Sequence, residues 1–192
     1  MRSSFIIFLG AGLFALGGCD RQSEPAPQAK DAAEAPAEGE ITGTLDIASR
    51  GTPMPDVTFN APDGSPVTLA KFQGKPLLVN LWATWCGPCV KEMPTLDRLA
   101  AREGARLKVL TVSQDSKGAG VVTPWFAKNS FKHLEAYVDA ENLLGLTYAS
   151  GMLPTTILYD AEGKEVWRVV GGMDWDGPRA NTLLAETLGK AG

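Results

Sequence analysis

Apolar and polar positions change their spacing several times along the chain, and each change marks a predicted element. Residues 77–84 form an almost continuous apolar run, which is typical of a strand buried on both faces of a sheet. Residues 107–113 have the same pattern. Between these two strands, residues 87–103 have apolar side chains at helical spacing. The alternation of strand and helix predicts an α/β fold with a mixed central sheet flanked by helices.

Turn residues divide the rest of the C-terminal region. The sequence Pro-Asp-Gly at 62–64 predicts a β-hairpin within residues 59–72. Further helices are predicted at 121–129, 140–148 and 176–190, and further strands at 136–139, 155–160 and 164–171. These elements predict one domain over residues 45–192, which is long enough to form its own core.

The first 18 residues have the pattern of a secretory signal. One arginine precedes an apolar run that is rich in Gly and Ala and too short for an ordinary spanning helix. The run ends in Leu-Gly-Gly followed by Cys19, which resembles the lipobox of bacterial lipoproteins. That resemblance implies a signal peptide over residues 1–18 and a lipid on Cys19. Asp20 resembles the residue that retains some lipoproteins in the inner membrane.

Residues 19–44 are predicted to form a flexible tether after the lipidated cysteine. The segment is rich in Pro, Ala, Glu and Gln, and such a composition buries too little apolar surface to offset its ordering entropy. The 192-residue chain has a formal net charge of −4. Because no basic stripe interrupts this acidic balance, we expect no nucleic-acid partner.

Two of the three cysteines lie within NLWATWCGPCVKEMP, residues 80–94. Cys86 falls where a buried strand ends and a helix begins, and there the free N–H groups and the helix dipole favour a thiolate. Pro88 fits the first helical turn, and Cys89 can fold back to bridge Cys86. A purely structural bridge would close too short a loop to add much stability, and zinc would need more ligands than this pair and His133. The pair therefore favours redox chemistry.

The motif WCGPC resembles the active site of thioredoxin-like proteins. The wider pattern PDGSPVTLAKFQGKPLLVNLWATWCGPCVKEMP, followed by GMLPTTILYDAEGK, resembles the membrane-tethered thiol–disulfide oxidoreductases of the TlpA/ResA type over about residues 50–190. This resemblance implies a thioredoxin fold with an N-terminal β-hairpin and a central helix–strand insertion. It also implies that Cys86 is the attacking nucleophile, Cys89 the resolving thiol and Pro154 a cis-proline facing the pair.

One departure from thioredoxin concerns the proton of the resolving cysteine. Thioredoxin has a buried aspartate six residues before its first cysteine, whereas this chain has Asn80, which cannot accept a proton. Glu92 lies one helical turn after Cys89 and matches an acidic residue that tunes thiol acidity in some relatives, so it is the candidate base. We expect burial to raise the pKa of Glu92, and we expect Asn80 to leave the pH dependence unaffected.

The family resemblance also suggests how a partner is bound. Trp85 is expected at the rim of the site, Gly87 and Pro88 between the cysteines, and Leu153 against the backbone of the partner chain. The other tryptophans are expected to serve packing, with Trp82 on the core side of its strand.

These features predict thiol–disulfide exchange at the periplasmic face of the inner membrane, without a metal or a cofactor. The Gly-Pro dipeptide resembles that of reducing thioredoxins and favours a reductase. Family substrates are disulfides of exported proteins, such as apocytochrome c or copper-site cysteines, and the family electron donor is a membrane protein. Two alternatives stay open: a peroxiredoxin-type peroxidase, and a metallochaperone that binds Cu(I) through Cys86 and Cys89. Peroxide consumption and a cuprous-ion titration would distinguish them.

Overall fold

The computed structural model describes residues 42–189, so Cys19, the signal segment and most of the predicted tether lie outside the described residues. Its strands are β1 (Thr42–Asp46), β2 (Thr58–Asn60), β3 (Pro66–Thr68), β4 (Leu77–Trp82), β5 (Lys108–Ser113), β6 (Tyr137–Val138), β7 (Thr155–Tyr159) and β8 (Glu165–Met173). Its helices are α1 (Gly87–Glu103), α2 (Ala119–Asn129), α3 (Leu143–Tyr148) and α4 (Pro178–Leu188), with a 3-10 turn at Leu69–Phe72.

The eight strands form one mixed sheet in the order β1-β8-β7-β4-β5-β6-β2-β3. Strand β4 lies in the middle, parallel to β5 and antiparallel to β7. This mixed sheet with flanking helices confirms the predicted fold class. Because β4 is a central strand, the cysteine motif that follows its C-terminal end lies near the middle of the sheet and not beside an outer strand.

The apolar run of β4 is explained by burial on both faces of the sheet. Leu78 and Trp82 belong to the core that covers one face, together with α1 and α4. Leu77, Val79 and Leu81 belong to a second core on the other face. Every residue of β4 is buried, so a strand in this position needs apolar side chains at almost every position.

The predicted hairpin and insertion are both present. Strands β2 and β3 pair antiparallel around the predicted turn. The insertion consists of α2 and β6, which follow β5. Strand β6 pairs parallel with β5 and antiparallel with β2, so the inserted strand joins the hairpin to the central sheet.

Strand β1 corrects the predicted start of the domain. Residues 42–44 were assigned to the tether, but they pair with β8, with Thr42 opposite Met173 and Thr44 opposite Val170. A Cβ atom on Gly43 would meet the carbonyl oxygen of Gly171 at 2.5 Å, so this close pairing requires a glycine. The ordered domain therefore begins before residue 45. Within residues 42–189, no helix has both the length and the apolar character needed to cross a bilayer.

Several predicted elements change length at their ends. Helix α3 begins at Leu143 and not at 140, because Asn142 adopts a left-handed conformation and the side chain of Asp139 accepts the amides of Leu143 and Leu144. Strand β8 continues to Met173 because it pairs with β1 along this extension. Helix α4 begins at Pro178, two residues after its predicted start.

Candidate active site

The two cysteines lie at the junction of β4 and α1. They are joined by a disulfide, with their Cα atoms 5.3 Å apart. The backbone amide of Cys89 donates to Sγ of Cys86 at 3.3 Å, so Cys86 caps the helix. In the reduced protein the same amide and the helix dipole favour a thiolate at Cys86.

The two cysteines differ in accessibility. Cys86 is 6% exposed and lines a cleft, whereas Cys89 is 0% exposed and does not. Gly87 and Pro88, between them, are exposed to solvent. A partner disulfide can therefore reach Cys86 but not Cys89, which is the order that attack followed by resolution requires.

A cleft of about 660 Å³ opens beside Cys86. None of the described residues that line it is charged. The lining combines the start of α1 with the ends of β4 and β5, the N-terminal part of α3 and the loop before β7. The lining residues are Leu81, Trp85, Cys86, Gly87, Pro88, Gln114, Asn142, Gly145, Ser150, Gly151, Met152 and Leu153.

The loop before β7 forms one wall of this cleft. The peptide bond between Leu153 and Pro154 is cis, as the family resemblance implies. Oγ1 of Thr155 donates to the carbonyl of Met152 at 2.8 Å, and the amide of Gly171 donates to the carbonyl of Pro154 at 2.8 Å. Leu153 is half-buried and lines the cleft, whereas the buried Pro154 is not among the lining residues.

Two exposed apolar side chains line the cleft, and we call them the apolar rim: Trp85 and Met152. They are 70% and 57% exposed. Sequence reasoning identified Trp85 but missed Met152 and the part of the lining that α3 supplies through Gly145, because their approach to the cysteine motif depends on the folded chain.

Glu92 is fully buried on α1, one turn after Cys89. Its Oε1 accepts a hydrogen bond from Nδ2 of Asn80 at 2.7 Å. Its Oε2 accepts from the amide of Met173 at 2.9 Å and from Nε1 of Trp175 at 3.2 Å. All three donors are neutral, so the carboxylate is hydrogen-bonded without being paired with a positive charge.

Burial raises the pKa of Glu92 to about 7, against an ordinary value of 4.5. Desolvation is the largest cause, and the hydrogen bonds from Met173, Asn80 and Trp175 oppose it by stabilising the charged form. The predicted rise in the pKa of Glu92 thus has the expected physical cause.

The expectation that Asn80 would leave this titration unaffected was wrong. Asn80 donates directly to Glu92, and its Nδ2 also lies 2.9 Å from Oγ1 of Thr156. Because an amide donor stabilises the carboxylate and not the neutral acid, Asn80 lowers the pKa of Glu92. Asn80 cannot accept a proton itself, but it affects the pH at which Glu92 accepts one.

The model of the Redoxin family matches residues 49–184. This chain belongs to the Redoxin family.

Similar proteins share the chemistry that the cysteine pair suggests. The thiol-disulfide oxidoreductase ResA of Bacillus cereus is 29% identical over 121 residues, which cover 63% of this chain and 69% of that protein. The thiol:disulfide interchange protein DsbE of Pseudomonas aeruginosa is 34% identical over 108 residues, covering 56% of this chain and 58% of that protein.

A solved structure with the same architecture is the exposed lipoprotein thioredoxin of Streptococcus pneumoniae. It has 29% sequence identity and a TM-score of 0.59, and the match covers 69% of this chain and 99% of that one. The thioredoxin-like fold and the resemblance to the TlpA/ResA type are confirmed. This redoxin is a thiol–disulfide oxidoreductase of the ResA/DsbE type.

The buried carboxylate of Asp115, which sequence reasoning missed, binds the segment just before the cysteine motif of this redoxin. Asp115 accepts the amide of Thr84 at 2.8 Å, the hydroxyl of Thr84 at 2.7 Å and the hydroxyl of Ser113 at 2.7 Å. It thereby fixes the loop two residues before Cys86. The available signal was its location directly after β5, because polar residues at the carboxyl ends of neighbouring parallel strands lie close together.

The remaining predicted residues have simple locations in this redoxin. Trp82 and Trp167 are buried and Trp125 is half-buried, in keeping with the expected packing role, whereas the buried Trp175 also donates its indole N–H to Glu92. His133 is exposed. In the part of the chain that the structure describes, no group of three or more His, Cys, Asp or Glu side chains could hold a metal ion.

Proposed function

We propose that this redoxin reduces disulfide bonds of exported proteins at the outer face of the membrane, with Cys86 as nucleophile and Cys89 as resolving thiol. One observation carries the proposal. Cys86 caps a helix N-terminus and lines an uncharged cleft, while Cys89 is fully buried one turn further along the same helix.

The exchange proceeds in two steps. The thiolate of Cys86 attacks one sulfur of the substrate disulfide; a mixed disulfide forms, and the other substrate sulfur leaves and takes up a proton. Cys89 then loses its proton and attacks Sγ of Cys86, which releases the second substrate sulfur as a thiol. Two electrons have passed to the substrate, and the bridge between Cys86 and Cys89 remains. A membrane thiol carrier must reduce this bridge before the next cycle.

Glu92 is the base for the second step. It lies one helical turn from Cys89, and a pKa of about 7 is suited to proton transfer near neutral pH. Replacement Glu92→Gln keeps the shape and should slow exchange by about 10- to 100-fold, with loss of the corresponding limb of the pH profile. If the variant exchanges disulfides like the wild type from pH 5 to 9, Glu92 is not the base.

The cleft favours a substrate segment without charge beside its cysteine. The apolar rim offers contacts to apolar side chains, and Leu153 has backbone groups available to an extended chain. Apocytochrome c and copper-site cysteines are the substrate classes we expect from the family. With a peptide disulfide that carries leucine next to cysteine, Met152→Glu should lower kcat/KM several-fold, because Met152 lines the cleft. Ile47→Glu is the matched control, because Ile47 is also exposed but lies outside the cleft lining.

The direction of exchange is proposed to be reductive. The Gly-Pro pair between the cysteines supports a potential nearer thioredoxin's value of about −270 mV than the strongly oxidising value of about −120 mV. Equilibration with glutathione buffers measures this potential. A value near the oxidising end would make the protein an oxidase and overturn the reductase assignment.

Location is proposed from the sequence of the N-terminal region. A lipid on Cys19 would hold the domain at the membrane surface through the tether, on the periplasmic face of the inner membrane. Wild-type protein should then fractionate with membranes, and Cys19→Ala should release it or block its processing. A freely soluble wild-type protein would contradict the anchor.

A trapping experiment tests the function as a whole. Cys89→Ser should accumulate mixed disulfides with exported proteins through Cys86, because resolution is blocked. Cys86→Ser is the matched control and should trap nothing. Equal trapping by both variants would refute the assigned order of the two cysteines.

A further inference from the structure

Trp175 lies in the loop between β8 and α4, far from the cysteines in sequence. Its indole Nε1 donates to Oε2 of Glu92 at 3.2 Å, and its backbone amide donates to Oγ1 of Thr95 at 3.0 Å. The indole is fully buried and stacks on Trp167, with ring centroids 6.4 Å apart and 13° between the planes. These contacts fix the direction of the N–H group toward Glu92.

The elements that surround Glu92 supply neutral donors only. Strand β4 contributes Asn80, the end of β8 contributes the amide of Met173, and the loop contributes Trp175. On α1 itself, the nearest titratable residues in sequence are Lys91, whose side chain is exposed, and Cys89. The side chain of Trp175 has no proton to exchange over the working pH range, so it acts on Glu92 as a fixed dipole.

The charged groups of the loop have other partners. Asp174 is exposed, and Asp176 forms ion pairs with Arg98 and Arg102 on α1. Among the described residues, no salt bridge involves Glu92. The three neutral donors are therefore what stabilises its charge.

We propose that Trp175 is a positioning residue of the exchange reaction, whose indole N–H holds the Glu92 carboxylate in the ionised form that accepts the proton of Cys89. This inference rests on the proposed role of Glu92 as base. The N–H···O bond is stronger to a charged oxygen than to a neutral one, so its loss disfavours the ionised form. A carboxylate with one donor fewer ionises only at higher pH.

Replacement Trp175→Phe removes the N–H group and keeps an aromatic ring next to Trp167. Disulfide-exchange rates, measured by stopped flow from pH 5 to 9, should follow a profile whose midpoint lies about one unit above that of the wild type. Exchange should be about tenfold slower at pH 6 and equal to wild type at pH 9, because Glu92 is ionised in both proteins at high pH.

Trp167→Phe is the matched control. It removes the other member of the same stacked pair, and the N–H group of Trp167 donates to the carbonyl of Leu183 at 3.3 Å and not to Glu92. A general loss of packing should affect both variants alike. Only Trp175→Phe should move the midpoint, and it should add nothing further in the Glu92→Gln background.

The outcomes separate this inference from the function on which it rests. If Glu92→Gln behaves like the wild type, the proposed base is wrong. If Glu92→Gln loses the pH limb but Trp175→Phe keeps the wild-type midpoint, the role of Trp175 alone is overturned.

Two further measurements do not require the Trp175→Phe variant to fold. Benzothienylalanine at position 175 keeps the shape of tryptophan and replaces N–H with sulfur, and it should move the midpoint as Trp175→Phe does. Indole fluorescence of the oxidised Trp167→Phe variant should change with a midpoint at a pH of about 7, the pKa of Glu92. Absence of both effects would overturn the proposal.

Discussion

Two carboxylates are buried against opposite faces of the same sheet, and their partners differ. Glu165 accepts two hydrogen bonds from the guanidinium of Arg168, each 2.7 Å long, and Arg168 also donates to the carbonyl of Tyr148 at 2.9 Å. The negative charge of Glu165 is therefore balanced inside the core. Glu92 accepts three hydrogen bonds from neutral groups and has no described ion-pair partner.

The difference in partners separates Glu165, which stabilises the fold, from Glu92, which is placed for proton transfer. The guanidinium of Arg168 pairs with both oxygens of Glu165 and so places an opposite charge beside the buried carboxylate. Neutral donors stabilise the carboxylate only in part, so desolvation raises the pKa of Glu92 to about 7 and its proton can be exchanged near neutral pH. The first arrangement joins β8 to the end of α3, and the second equips α1 for proton transfer.

The largest effect is expected from breaking the ion pair. Arg168→Met leaves the charge of Glu165 buried without a partner and should lower the free energy of unfolding by about 3–5 kcal/mol. Denaturant unfolding measures the loss. The double variant Glu165→Leu/Arg168→Met should be much less destabilised, since neither charge remains, and equal losses in the two variants would contradict this account.

A smaller effect is expected in how stability depends on pH. Glu92 has a folded pKa of about 7 and an ordinary value of 4.5, so the folded state binds more protons between these values. The contribution of Glu92 to stability is therefore fully present below pH 4.5 and is lost as the pH rises through 7. Relative to Glu92→Gln, the oxidised wild type should lose about 3 kcal/mol across this window. Parallel pH curves for the two proteins would show that Glu92 titrates normally.

Asn80→Ala tests the neutral donors with a smaller change. Loss of the bond to Oε1 should move the midpoint of the exchange profile upward by about one pH unit. Thr156→Val is the control, because it removes a contact of Asn80 but leaves the bond between Asn80 and Glu92 in place. A shift of equal size in the control would assign the effect to repacking.

The smallest effect on stability is expected from the two tyrosines that lie near the ion pair. The hydroxyl groups of Tyr148 and Tyr159 are hydrogen-bonded at 2.8 Å in the core. Tyr159→Phe should cost about 1 kcal/mol of unfolding free energy, because one buried hydroxyl loses its partner. The pH profile of exchange should stay unchanged, since these tyrosines lie on the face opposite Glu92, and any shift would mean that the two faces are coupled.

Local patterns in the sequence predicted those parts of the fold that depend on neighbours in the chain. The apolar run of β4, the turn of the first hairpin and the helix that carries Cys89 all follow from residues within one element. Strand β1 was missed because TGTLD has little apolar alternation, and its pairing depends on the close approach of Gly43 to β8.

The candidate site also combines contacts that are local in the sequence with contacts between distant residues. Cys86, Cys89 and Glu92 lie within one segment, so helical spacing was enough to bring them together. The contacts of Glu92 with Met173 and Trp175 join residues 81 and 83 positions apart. No local signal marks such pairs, because they arise only when the end of β8 packs on α1. The direction of the pKa shift was predictable from burial, but the donors that limit it were not.

The location of Cys89 one helical turn after Cys86 also protects the protein from irreversible damage. An oxidant that enters the cleft beside Cys86 converts its thiolate to a sulfenic acid, the first stage of cysteine oxidation. Cys89 lies close enough to condense with that sulfenic acid, so water is released and the ordinary bridge forms. The irreversible sulfinic stage is thereby avoided, and a damaged molecule returns to the same oxidised form from which each working cycle is restored.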